Sequence, residues 1–158
     1  MSQKTSHVLS ERAFAIEHTF RAPPTKVFAA YTDPKLLPQW WAPKGATFSV
    51  EAMDVRPGGS YRFRQEMPGA PAMVFIGKYL EVNPVSRLVY TFMVEGQGGA
   101  VTAEVDLKET GAGTVLTLTN TFATKEARDM ARKYGAEGGA RAAMMSLEAL
   151  LSTGGGHP

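Results

Sequence analysis

The residue types that could do chemistry are few in this chain. Three of its 158 residues are histidine and none is cysteine. His7 and His157 stand near the two ends, so His18 is the single imidazole in the body of the sequence. A general base needs an orienting partner and a substrate within hydrogen-bond reach. The neighbouring carboxylate, Glu17, falls on the opposite face of the alternating stretch that carries His18, and the reading is a structural or rim histidine. One imidazole and no thiol do not make a zinc or transition-metal set, so neither a metal nor a cofactor is expected. Glu104 and Asp106 alternate with apolar residues and therefore face water. Asp33 precedes Pro34 and reads as a turn or helix cap. Asp54 stands beside Arg56-Pro57-Gly58-Gly59 and is expected to organise that turn through Arg56. No Gly-x-Ser-x-Gly, P-loop or dinucleotide-binding glycine pattern stands between a strand and a helix. Gly96-Gln97-Gly98-Gly99 joins two strand patterns, which is the wrong place for phosphate binding at a helix N-terminus. No catalytic residue is assigned.

Aromatic residues carry more information. Phe28, Tyr31, Trp40, Trp41, Phe48, Phe63, Phe75, Tyr79, Tyr90, Phe92 and Phe122 are spread over nearly every element. Each taken alone is a core residue by burial statistics. Taken together they could wall an apolar pocket, with Met53, Met73, Met93, Met144 and Met145 making that wall deformable. Arg62 and Arg64 alternate with Tyr61 and Phe63 and are read as solvent-facing.

These side chains must be positioned by strands and a late helical region. Residues 12–21 alternate, with Phe14, Ile16, His18 and Phe20 on one face. Ala22-Pro23-Pro24 stops that strand, and a short helix follows with Val27, Phe28 and Tyr31 on one side. Leu36, Leu37, Trp40 and Trp41 form an apolar knot closed by Ala42-Pro43-Lys44-Gly45. Six strand patterns come next, at about 46–55, 60–67, 72–82, 86–94, 100–108 and 114–122, separated by Gly- and Pro-rich turns. The only long helical pattern runs over 124–151 and carries two stripes. Ala127, Met130, Ala131 and Tyr134 form one; Ala140, Ala143, Met144, Leu147, Leu150 and Leu151 form the other. At 100° per residue the two stripes lie nearly opposite each other, so one straight helix would expose one of them. The glycines at 135, 138 and 139 mark the break. A short helix over 125–134 and a long one from about Ala136 are expected, with Gly135 as a left-handed cap. The order predicts an α+β fold: a curved seven-stranded antiparallel sheet around a long C-terminal helix, with two short helices after strand 1.

Hydrophobic residues make up 44% and charged residues 20%, an ordinary soluble composition. Net charge is +2 without a basic run, so no nucleic-acid partner is expected. No apolar run approaches the roughly 20 residues of a membrane span, and residues 1–10 lack a signal-peptide core. A cytoplasmic location is the default expectation. A single domain over 11–152 is expected, with residues 1–10 and 153–158 as flexible tails. A homodimer is left open.

A set of motifs stands in the order and spacing of one known group. They are Ala22-Pro23, Val27-Phe28, Thr32-Asp33-Pro34, Trp40-Trp41-Ala42-Pro43, Asp54-Val55-Arg56-Pro57-Gly58-Gly59, Gly77-Lys78-Tyr79, Arg87-Leu88-Val89-Tyr90-Thr91 and Gly113-Thr114. The chain resembles the bacterial branch of the START/Bet v 1-like (SRPBCC) superfamily related to the activator of the 90-kDa heat-shock protein's ATPase. That resemblance implies the helix-grip fold, in which a curved sheet grips a C-terminal helix, often over an elongated apolar cavity. Unlike many members, this chain follows Gly139 with Ala140 and carries Met144 where a larger residue is common. The expected function is non-catalytic binding of an apolar or amphipathic small molecule between sheet and helix. Phe28, Tyr31, Trp40, Phe48, Phe63, Phe75, Tyr79, Tyr90 and Phe92, with Ala140 and Met144, are the expected wall. Two alternatives remain. One is a chaperone-cofactor-like domain acting on a heat-shock ATPase; this rests on the resemblance alone. The other is a cyclase- or hydrolase-like enzyme, with Glu17, His18 or Tyr79 as the first residues to consider.

Overall fold

Alternating apolar residues set the inner face of a seven-stranded antiparallel sheet. A computed structural model describes residues 11–96 and 99–152. The expected tails at 1–10 and 153–158, together with Gln97 and Gly98 of one turn, lie outside the described residues. The strands are β1 (Ala13–Phe20), β2 (Thr47–Met53), β3 (Ser60–Glu66), β4 (Met73–Asn83), β5 (Arg87–Val94), β6 (Val101–Thr110) and β7 (Gly113–Thr121). The helices are α1 (Pro24–Thr32), α2 (Lys125–Lys133) and α3 (Ala136–Ser152), with one 3-10 turn at Leu37–Gln39. The sheet runs β1-β7-β6-β5-β4-β3-β2, so β2 to β7 form a meander and β1 closes against β7. This is the α+β helix-grip architecture.

Register follows the hydrophobic pattern. On β6, Val101, Ala103, Val105 and Leu107 are buried. Opposite them on β7, Leu116 and Leu118 are buried as well, with Leu107 paired to Leu116 and Val105 to Leu118. A slip of one residue would turn both rows to water. The outer face is polar and paired by charge. The Arg87 guanidinium meets Glu104 and Asp106 at 2.7 Å each and Glu81 at 3.2 Å. Arg62 bonds Glu51 at 2.9 Å and Glu95 at 2.7 Å, which holds the Glu95 carboxyl below its usual range. Arg64 bonds Glu66 at 2.8 Å, so both arginines of β3 face outward as expected.

The helices divide near the expected place. The Thr124 side chain caps α2 by accepting from the Ala127 amide at 3.0 Å. Gly135 takes φ +88°, and α3 starts at the next residue. Gly138 and Gly139 are part of α3 rather than of the break. The stripe expected on α2 is only half realised. Ala127 and Ala131 pack on the core, whereas Met130 and Tyr134 are 55% and 77% exposed. A helix of two and a half turns lying on the edge of a core covers it with its small residues and leaves its long ones in water. On α3 the expected stripe holds: Met144 and Leu147 are buried, and Ala140, Ala143, Leu150 and Leu151 pack beside them.

Candidate functional site

Two adjacent tryptophans divide the aromatic interior from an open cleft. The tight turn at Leu37–Gln39 places them, its carbonyl at Leu37 accepting from the amides of Trp40 and Trp41 at 3.3 and 3.1 Å. Consecutive side chains leave such a turn in different directions. Trp40 goes inward; its indole nitrogen donates to the Ala30 carbonyl at 3.0 Å, and its ring meets Tyr31 edge-on at 4.8 Å. Trp41 leans onto Phe75, Phe48 and Phe63, with ring centres 5.1, 5.3 and 5.7 Å away. The next turn closes where the Ala46 amide bonds the Pro43 carbonyl at 3.2 Å, and it leaves Lys44 exposed.

On the inner side of Trp41, aromatic rings fill the space between sheet and helix. Tyr61 stacks on Phe63 at 4.4 Å and tilts onto Tyr79 at 5.5 Å. The gap left among Tyr31, Trp41, Tyr61, Phe63, Tyr79 and Tyr90 is about 10 Å³. That is room for one water at most. The interior stays uncharged. Burial raises the hydroxyl pKa of Tyr31, Tyr61 and Tyr79. Tyr90 is pushed up to about 12, where burial outweighs the opposing effect of its hydrogen bond with Trp41.

The Tyr61 hydroxyl donates to the Thr91 carbonyl at 2.6 Å, crossing β4 above Gly77. A Cβ on Gly77 would lie 1.8 Å from that carbonyl oxygen and 2.6 Å from the hydroxyl. Glycine is needed there because Tyr61 passes through the space a side chain would occupy.

On the outer side of Trp41 lies a cleft of about 580 Å³. One wall is segment 40–44 and the other is the exposed face of α3, including Gly139, Ala142, Ala143, Met145 and Ala149. Ala142, Met145 and Ala149 recur at i, i+3 and i+7 and face away from the core; Met145 is 62% exposed. The volume falls within the range of about 300–1,000 Å³ usual for small-molecule sites. A second hollow of about 410 Å³ continues past Pro38 and Gln39 and shares Ala42, Pro43, Lys44, Ser146 and Ala149 with the first.

The eleven residues expected to wall a site are therefore spread over three environments. Tyr31, Phe63, Tyr79 and Tyr90 line the small interior gap. Trp40 lines the cleft from within the core. Phe28, Phe48, Phe75, Phe92 and Ala140 are half-buried against the core, and Met144 is fully buried. Lys44 and Ala149 of the cleft were not expected at all, while Trp41, Met145 and the small residue Ala142 were read as possible pocket neighbours without being placed among those eleven. The signal available for them was a second apolar repeat on α3, out of phase with the core stripe.

His18 finds its carboxylate on another element rather than in its sequence neighbour Glu17. Its Nε2 is 2.7 Å from Glu148 Oε1 on α3, and its ring lies 4.7 Å from that of Phe20. The pair ties the gripping helix to β1 across 130 positions of chain. Glu148 borders a separate hollow of about 230 Å³ with Arg21, Pro23 and Lys26. Asp54 bonds Arg56 at 2.8 Å beside its turn, and Asp33 accepts from the Lys35 amide at 2.8 Å. Among the described residues, no group of three or more His, Asp or Glu side chains could hold a metal ion. No helix among them is long and apolar enough to cross a membrane.

Comparison with solved structures finds the same architecture in several bacteria. A protein of Staphylococcus epidermidis is 28% identical, with a TM-score of 0.80 over 90% of each chain. One from Nitrosomonas europaea is 26% identical, with a TM-score of 0.79 over 91% of this chain and 96% of its own. A protein of Arthrobacter aurescens, at 22% identity, shares the fold with a TM-score of 0.84, covering 92% of this chain and 88% of that one. No curated protein matches the sequence. The fold is one that supports a ligand-binding or binding-domain role. The model of the family described as Activator of Hsp90 ATPase homolog 1-like protein matches residues 21–152, and the chain belongs to that family.

Proposed function

We propose that this chain binds an apolar or amphipathic small molecule without turning it over, and that the ligand lies in the cleft between segment 40–44 and α3. One observation carries the reading: a hollow of about 580 Å³ is walled by Trp40, Trp41, Pro43, Ala142 and Met145 and bears no carboxylate. Exposed apolar surface of this shape gains free energy when an apolar ligand removes it from water, at about 25 cal/mol per Å². The interior between sheet and helix is too full to serve without moving rings. The His18–Glu148 pair does not line the cleft, so the proposed site holds neither an imidazole nor a carboxylate.

The test uses the neutral fluorophore N-phenylnaphthylamine, whose emission rises in an apolar site. The parent should bind it saturably. Ala142→Trp places a large ring in the cleft from an exposed position, so it should abolish binding while the circular dichroism spectrum stays unchanged. A folded Ala142→Trp variant that binds as well as the parent would remove the cleft as the site.

Family membership favours a second reading, binding to a protein partner of the heat-shock ATPase class. Its readout is the ATP turnover of the chaperone with saturating protein added, and an unchanged rate would discard it.

A further inference from the structure

The two joined hollows have one charged side chain between them. Lys44 lines both, and every other lining residue is apolar or neutral. Lys44 is exposed, and among the described residues it has neither an ion pair nor a hydrogen bond. The other cations of the chain that line no part of the cleft are often engaged: Arg56, Arg62, Arg64, Arg87, Arg132 and Lys125 all meet carboxylates. Neutral polar groups flank Lys44, with Gln39 and Ser146 in the second hollow. The arrangement is an apolar trough that changes character at a single unpaired ammonium. A neutral hydrocarbon would leave that ammonium unused, and a cationic head would be repelled by it.

We propose that the ligand is a single-chain amphiphile with an anionic carboxylate head, its chain against Trp40, Trp41 and Met145 and its head beside Lys44. This rests on the cleft being the binding site, as proposed above. An ammonium and a carboxylate near the surface attract modestly, in the range of about 0.2–1 kcal/mol, or up to roughly fivefold in affinity. Lys44 therefore sets selectivity among ligands, and the apolar walls supply most of the affinity. Because the pair is close to solvent, added salt should weaken it.

Three probes of equal chain length separate the claims: dodecanoate, dodecanol and dodecyltrimethylammonium, each titrated by displacement of N-phenylnaphthylamine. Dodecanoate should bind a few-fold more tightly than dodecanol, and the trimethylammonium probe should bind worst. Lys44→Gln should bring dodecanoate to about the level of dodecanol and leave dodecanol unchanged, with Lys44→Glu weakening dodecanoate further. Lys108→Gln, an exposed change on β6, should alter none of the three. Equal binding of dodecanoate and dodecanol by the parent, or an equal loss in Lys44→Gln and Lys108→Gln, would overturn the carboxylate assignment while leaving the cleft reading in place. Failure of all three probes to displace the fluorophore from the parent would overturn both.

Discussion

Alkaline pH should unfold this protein through its buried tyrosines. Tyr31, Tyr61, Tyr79 and Tyr90 form much of the interior between sheet and helix, and all four hydroxyl pKa values are raised by burial. In the unfolded chain each returns to about 10. The folded state therefore keeps protons that the unfolded state loses, and stability falls as pH rises above about 10. At about pH 11 each tyrosine lowers stability by about 1 kcal/mol, and four together by on the order of 5 kcal/mol. That is comparable to the whole stability of a typical domain, about 5–15 kcal/mol. The contribution of Tyr90 stops growing near its folded value of about 12, while the others continue. Urea denaturation from about pH 8 to 11, followed by circular dichroism, measures the slope. Phenolate absorbance measured in parallel should rise with unfolding for these four and not before it. Tyr79→Phe should remove about a quarter of the slope whatever it does to stability at neutral pH. A stability that stays flat between about pH 9 and 11 would refute the argument, as would phenolate absorbance from these tyrosines in a chain that is still folded.

Two further expectations concern the backbone. Gly77→Ala places a methyl group against the Thr91 carbonyl and the Tyr61 hydroxyl, so strands β4 and β5 must part or the tyrosine must leave. The cost should be about 2–5 kcal/mol in urea denaturation, combining overpacking with a lost buried hydrogen bond; a change under about 0.5 kcal/mol would contradict it. Val85, between β4 and β5, is held at φ +70°, which a β-branched residue adopts at a cost. Val85→Asn should stabilise the fold by about 1 kcal/mol, seen as a higher midpoint with an unchanged slope, and a lower midpoint would show that the Val85 side chain contributes packing that outweighs its strain.

Much of the fold was legible in the sequence because it depends on local periodicity. The alternation on β6 and β7 fixed which face is buried, and the turn residues between strands fixed the meander. The opposed stripes over 124–151 placed the helix break, since no straight helix can bury two opposite faces. What periodicity could not supply was the depth of burial. Met130 and Tyr134 match a core stripe in spacing, yet α2 lies too near the edge of the core to cover them. Nor could it supply partners distant in sequence. His18 looked unpaired because its carboxylate, Glu148, arrives on another element from 130 positions away.

The candidate site was legible only in part. The small-residue entry of the last helix, with Ala142, Ala143 and Met145, was expected to bound any cavity, whereas the aromatic wall was placed in the interior. Counting aromatic residues shows where apolar volume is plentiful, but a pocket is where that volume runs out. Tyr61, Tyr79 and Tyr90 are large enough to meet across the sheet, with ring centres between 5.5 and 6.3 Å apart, and they close the interior that an aromatic wall would have bounded. Open space instead appears where side chains are too small to meet. Ala142 and Ala149 on α3 face segment 40–44 across a gap they cannot fill, and Met145 stands in it largely exposed. The small residues on the helix face away from the core are thus the ones that leave open space, and the large aromatics are the ones that fill the interior. Trp41 belongs to both sets, since it borders the filled interior on one side and the open cleft on the other.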